Sequence, residues 1–212
     1  MIISRQKEFK EILRAIKEKN IFVIGCGKCA TKLNVGGEPQ VLEMEKRLVK
    51  AGKKVAGWTV LSSTCNISSW DDVLSRNPTI KKADALLVMS CGGGVSVISR
   101  FTEALVYPAL DTESLGGICR DETLKEQCSM CGECTVWMFG GICPLSQCAK
   151  GLLNGPCGGA VEGKCEVDEG KCAWDAIYER LKKLGKLEYL EIMHEPGDHT
   201  KKKGGRRHEI QR

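Results

Sequence analysis

The sequence predicts an α/β protein: an N-terminal Rossmann-like parallel sheet, then a small cysteine-rich, metal-stapled domain and a C-terminal helix. Three observations carry this. Apolar runs at residues 20–25, 54–61 and 83–89 alternate with helical patterns, the strand–helix–strand order of a parallel sheet. Nine of the thirteen cysteines fall within residues 119–172. That stretch has no long apolar run before Trp174, so it is expected to fold around bound metal rather than an apolar core. The expected domains are residues 1–110 and 111–195, followed by a basic tail over 196–212.

Taken in order, residues 6–19 place Phe9, Ile12, Leu13 and Ile16 on one face, an amphipathic helix. Residues 20–25 are continuously apolar, as in a strand buried on both faces, and lead into Gly25-Cys26-Gly27-Lys28-Cys29. A helix follows over 38–51, with Val41, Met44, Leu48 and Val49 apolar and Gly52 as its stop. The second strand, 54–61, ends near Cys65, and a short helix spans 70–75. The third strand, 83–89, runs into Ser90-Cys91-Gly92-Gly93-Gly94, with another helix over 95–105. Residues 107–117 are the expected boundary. Beyond the cysteine-rich stretch, Trp174, Ile177, Leu181 and Leu184 mark a helix over 173–186, and 187–193 reads as a last extended segment.

Ligands of parallel sheets bind outside the carboxyl ends of the strands. Each predicted strand delivers cysteine there: Cys26 and Cys29, then Cys65, then Cys91. These four are expected to converge as a metal site. Buried plain thiols and a thioredoxin-like Cys26–Cys29 redox pair are the alternatives. Neither G-x-G-x-x-G nor a P-loop Lys-Ser/Thr is present, so the glycines here are expected to let backbone N–H groups approach sulfur, not phosphate. In the C-terminal half, Cys128-x2-Cys131-x2-Cys134 followed by Cys143-Pro144 is iron–sulfur-like, although longer than the bacterial ferredoxin spacing. Cys148, Cys157, Cys165 and Cys172 form a second four-thiolate group, for an iron–sulfur cluster or zinc, and Cys119 is left over.

Other features narrow the function. An odd cysteine count, no apolar leader and no run of about 18 apolar residues predict a reduced, cytoplasmic chain without a membrane span. The net charge of +5 is matched by Lys201, Lys202, Lys203, Arg206 and Arg207, read as a solvated terminus. Nucleic-acid binding through that tail is disfavoured, because the cysteine groups lack interleaved aromatics or basic stripes. All three histidines (His194, His199, His208) lie near the C-terminus, and no Ser/His/Asp order, H-E-x-x-H or flavin signature occurs. Glu133, Asp168 and Glu169 read as solvated loop charges. The chain is therefore expected to be non-catalytic by itself.

A more specific pattern lies in Gly140-Gly141-Ile142-Cys143-Pro144, in Cys148-Ala149-Lys150-Gly151-Leu152-Leu153-Asn154-Gly155-Pro156-Cys157-Gly158-Gly159, in Gly163-Lys164-Cys165-Glu166-Val167 and in Cys172-Ala173-Trp174. It resembles the MetV-type family, also called the methylenetetrahydrofolate reductase C-terminal domain family. The string N-G-P-C-G-G is its most specific part. The resemblance implies an iron–sulfur electron-transfer subunit that passes electrons to the flavin of a MetF-type partner in Wood–Ljungdahl one-carbon metabolism. It implies 4Fe–4S clusters, two or three of them, on these cysteines, with zinc as the competitor in the last group. It also implies an upstream electron-donor protein and no flavin on this chain alone. A zinc-binding assembly module of the same complex is the alternative.

Overall fold

The computed structural model describes residues 1–118, 124–168 and 170–198. Cys119, Glu169, His199, His208 and the basic run from Lys201 lie outside the described residues. The chain divides into two units, Met1–Ser114 and a second that begins at Leu115.

The first unit contains β1 (Ile2–Gln6), α1 (Phe9–Ala15), β2 (Asn20–Cys26), α2 (Cys29–Lys32), α3 (Glu38–Lys50), β3 (Lys54–Leu61) and α4 (Trp70–Arg76). A 3₁₀ turn (Pro78–Lys82), β4 (Ala85–Met89), α5 (Gly92–Ser99), β5 (Leu105–Pro108) and the start of β6 (Leu110–Ile118) follow. Strands β2 to β5 form one parallel sheet in the order β3-β2-β4-β5. Successive residues of β2 point to opposite faces. Ile21 and Val23 pack with Ile12, Ile16 and the α3 residues Val41, Met44 and Leu48. Phe22 and Ile24 pack with Ile80 and Ile98 on the other face. Both faces are covered, which is why β2 and β4 read as unbroken apolar runs. From β2 the chain crosses to β3 on one side and later to β4 on the other. The order reverses between the carboxyl ends of β2 and β4, where sheets of this kind leave a crevice.

Three elements differ from expectation. The first helix starts only at Phe9, because residues 2–6 form β1, which runs beside β6. The helix expected to reach residue 105 stops at Ser99, whose Oγ donates back to Val95 O at 2.8 Å. Leu105–Pro108 becomes β5 instead, a fourth strand at the sheet edge, where a proline is tolerated. The stretch expected to be a boundary, 107–117, is largely strand, and the division between the two units falls inside it.

Gly36 shows how tightly the end of β2 is closed. Its carbonyl accepts from Cys26 N at 3.0 Å, and a Cβ on Gly36 would stand 2.1 Å from Met89 O. Gly36→Ala is expected to destabilise the first unit by about 1–3 kcal/mol through overpacking. A lowered urea midpoint at unchanged m-value would register it.

In the second unit, β6 pairs antiparallel with β7 (Leu124–Cys128), setting Leu115 opposite Cys128. A 3₁₀ turn (Val136–Phe139), α6 (Pro144–Gln147), α7 (Ala173–Leu184) and a final 3₁₀ turn (Leu187–Glu191) complete it. Phe139, Cys172, Trp174, Ile177 and Leu181 form an apolar core, with Met138, Ile142, Leu153 and Tyr189 packed against it. The Phe139 and Trp174 rings meet edge-on at 5.8 Å. This corrects the expectation of a segment without an apolar core. Trp174, Ile177 and Leu181 come from the helix whose apolar face the sequence marks; Phe139 and Tyr189, distant from one another along the chain, complete the cluster. The segment expected to be extended after α7 is the 3₁₀ turn: Gly185 (φ +65°) ends α7, and Tyr189 turns back onto Trp137 at 5.5 Å. Among the described residues no helix is long and apolar enough to cross a membrane.

Candidate metal centre

Cys148, Cys157, Cys165 and Cys172 line one small cavity, with Lys150, Glu166 and Trp174 also in its wall. Each sulfur is placed by local backbone chemistry. Cys148 closes α6, its N–H donating to Pro144 O at 3.0 Å. Cys157 sits in a loop that Gly155 (φ +116°) and Gly158 (φ +78°) allow to turn. Cys165 follows a tight turn in which Glu162 and Gly163 are both left-handed, closed by paired bonds between Val161 and Lys164. Cys172 N donates to Gly163 O at 2.8 Å, and Cys172 caps α7.

Backbone N–H groups also aim at sulfur. Gly159 N donates to Cys157 Sγ and Val167 N to Cys165 Sγ, each at 3.4 Å. In the first C-terminal group Met130 N donates to Cys128 Sγ at 3.3 Å. In all three the donor lies two residues past its cysteine.

Two further contacts brace the ligand loops. Trp174 Nε1 donates to Leu152 O at 3.2 Å. Asn154 clasps the backbone of His194, donating from Nδ2 to its carbonyl at 2.9 Å and accepting from its N–H at 2.7 Å. Asn154→Ala removes both bonds and is expected to lower stability by about 1–2 kcal/mol. Faster proteolysis after residue 186 would report it.

Residues 107–200 match the family described as methylene-tetrahydrofolate reductase C terminal. The match links that segment, with both C-terminal cysteine groups, to this enzyme class, and it leaves most of the first unit outside. No curated protein and no solved structure matches the chain.

Within the matched segment, the first group is carried by elements in contact. Cys128 ends β7 and Cys143 caps α6. Gln147 of α6 donates through Nε2 to Glu126 O of β7. Met130 (φ +53°) and Gly132 (φ +83°) bend the chain on either side of Cys131, whose Sγ donates to Glu133 O at 3.2 Å. Cys134 is exposed.

The N-terminal four occupy the loops after β2, β3 and β4. Cys26 is buried in a small cluster with Ala30 and Leu110. Cys29 opens α2 and accepts from Ile2 N at 3.4 Å. Cys65 is exposed beside Ser63 Oγ at 3.5 Å, and Cys91 caps α5. The neighbouring glycines serve close packing rather than sulfur. Gly27 N donates to Leu61 O, Gly92 N to Thr112 Oγ1 and Gly94 N to Cys91 O.

The twelve described cysteines are free of disulfides. Among the described residues, no group of three or more His, Cys, Asp or Glu side chains is gathered closely enough, as placed, to hold a metal ion. Cys148, Cys157, Cys165 and Cys172 share the wall of one cavity. Sequence reading did not single out Lys150 and Glu166. Their side chains are ion-paired, which holds the Lys150 ammonium above its ordinary range and the Glu166 carboxyl below its own. A pair 16 residues apart leaves no local sequence signal.

Proposed function

We propose that the chain serves a methylenetetrahydrofolate reductase as an iron–sulfur electron-transfer subunit, passing electrons from a donor protein to the flavin of a MetF-type partner. The observation that carries this reading is the grouping of eight disulfide-free cysteines within the matched segment, three of whose sulfurs accept backbone N–H bonds. An all-sulfur donor set suits iron–sulfur clusters or zinc. When bound, a cluster supplies one-electron storage. The chain's own part is to present thiolates from Cys128, Cys131, Cys134 and Cys143, and to turn N–H dipoles toward sulfur. Cys26, Cys29, Cys65 and Cys91, past three neighbouring strand ends, are proposed as a further cluster site.

A second reading, zinc held structurally by Cys148, Cys157, Cys165 and Cys172, rests on the one cavity wall that these four thiols share. Reduced thiols suit a cytoplasmic setting.

Anaerobic purification followed by iron, sulfide and zinc determination, with paramagnetic resonance of the reduced chain, tests both readings. Iron and sulfide with a reducible signal support electron transfer. Zinc alone ends that reading and leaves the structural one. With a flavoprotein partner, Cys131→Ser is expected to slow flavin reduction while folate binding stays intact. Lost folate binding at an unchanged rate of flavin reduction would contradict the proposal.

A further inference from the structure

Two charged side chains stand where the four-cysteine cavity meets solvent. Lys150 and Glu166 line it, and each is 41% exposed. Their ion pair joins the segment that carries Cys148 to the one that carries Cys165. Glu166 Oε1 also lies 3.5 Å from Cys157 Sγ. Gly159 makes room for this carboxylate, since a Cβ there would fall 2.0 Å from Glu166 Cδ. As a thiol Cys157 donates to this carboxylate, but as a metal-bound thiolate it has no proton to give, so the contact that persists is the Lys150–Glu166 pair between two cysteine-bearing segments.

We propose that Lys150 and Glu166 form an ionic latch at the rim of this cavity, slowing the exchange of a metal ion held by the four thiolates. The inference rests on the reading of this group as a metal site. A competing chelator must reach the ion from solvent, and the loops bearing Cys148 and Cys165 must part to admit it. Parting them breaks the pair. Solvent-exposed ion pairs contribute modestly, so severing this one should speed release about threefold to fivefold.

The test uses the full chain loaded with zinc, with transfer to a chromogenic chelator followed in time. A Cys157→Ser/Cys172→Ser double variant identifies the zinc equivalent in question. Lys150→Ala and Glu166→Gln are expected to keep that equivalent and release it about threefold to fivefold faster. The charge-swapped Lys150→Glu/Glu166→Lys variant is expected to return the rate to within about twofold of wild type. If the double cysteine variant loses no zinc, the metal-site reading falls, and the latch with it. If it does lose one equivalent, yet the single variants release zinc at the wild-type rate, the latch alone is overturned. A charge swap as fast as the single variants also overturns it, because pairing would then not matter.

Discussion

With the second cysteine group holding metal as proposed, Cys172→Ser is expected to empty it while leaving α7 in place. Cys172 lines the shared cavity, is 8% exposed and caps α7. Serine is nearly isosteric and a better helix cap than most residues, so the start of the helix should hold. What is lost is a soft sulfur donor. Outer-shell partners alone typically change metal affinity roughly 10–100-fold, and removing a direct ligand should exceed that. Binding to a structural site is also folding free energy, about 10–16 kcal/mol for zinc in small domains, so the variant should unfold at lower temperature than loaded wild type. Metal determination after gel filtration, beside a thermal melt, checks both. Full metal content in Cys172→Ser would remove this residue from the ligand set.

Phe139→Ala is expected to destabilise the second unit by about 3–5 kcal/mol, even in chelator-treated protein. Phe139 is 2% exposed and packs edge-on against Trp174, with the His194 ring tilted over it at 4.8 Å. If metal alone held this unit, the substitution would matter little once metal is gone. The core around Ile177 and Leu181 predicts otherwise: a cooperative metal-free transition in wild type that Phe139→Ala shifts or abolishes. Urea unfolding followed by tryptophan fluorescence, with and without chelator, separates the two. An unchanged metal-free transition would refute the prediction.

The parallel sheet was legible because burial on both faces leaves continuous apolar runs, as in residues 21–24 and 85–89. The fourth strand was not. Leu105–Pro108 is short and lies at an edge, and its residues extend a pattern that resembles a helix. Of the second unit's core, the α7 face was legible from Trp174, Ile177 and Leu181, whereas Phe139 and Tyr189 lie far apart in the chain and join it only in the folded protein. Dividing the C-terminal cysteines into fours made Cys148, Cys157, Cys165 and Cys172 one set; all four line one cavity, although among the described residues they are not gathered closely enough to hold an ion. The carboxylate and ammonium at its rim had no such spacing to betray them, since what pairs Lys150 with Glu166 is the return of the loop.

The four-residue helix α6 has Cys143 immediately before it and Cys148 immediately after it. One thiol belongs to the first C-terminal group and the other to the second, and five steps of helical rise separate their backbones by only about 7.5 Å along the axis. Two nests hinged on a single turn cannot reorganise independently. With both groups holding metal as proposed, filling one should orient the other, so occupancy of the pair is expected to rise together during titration rather than in two unrelated steps.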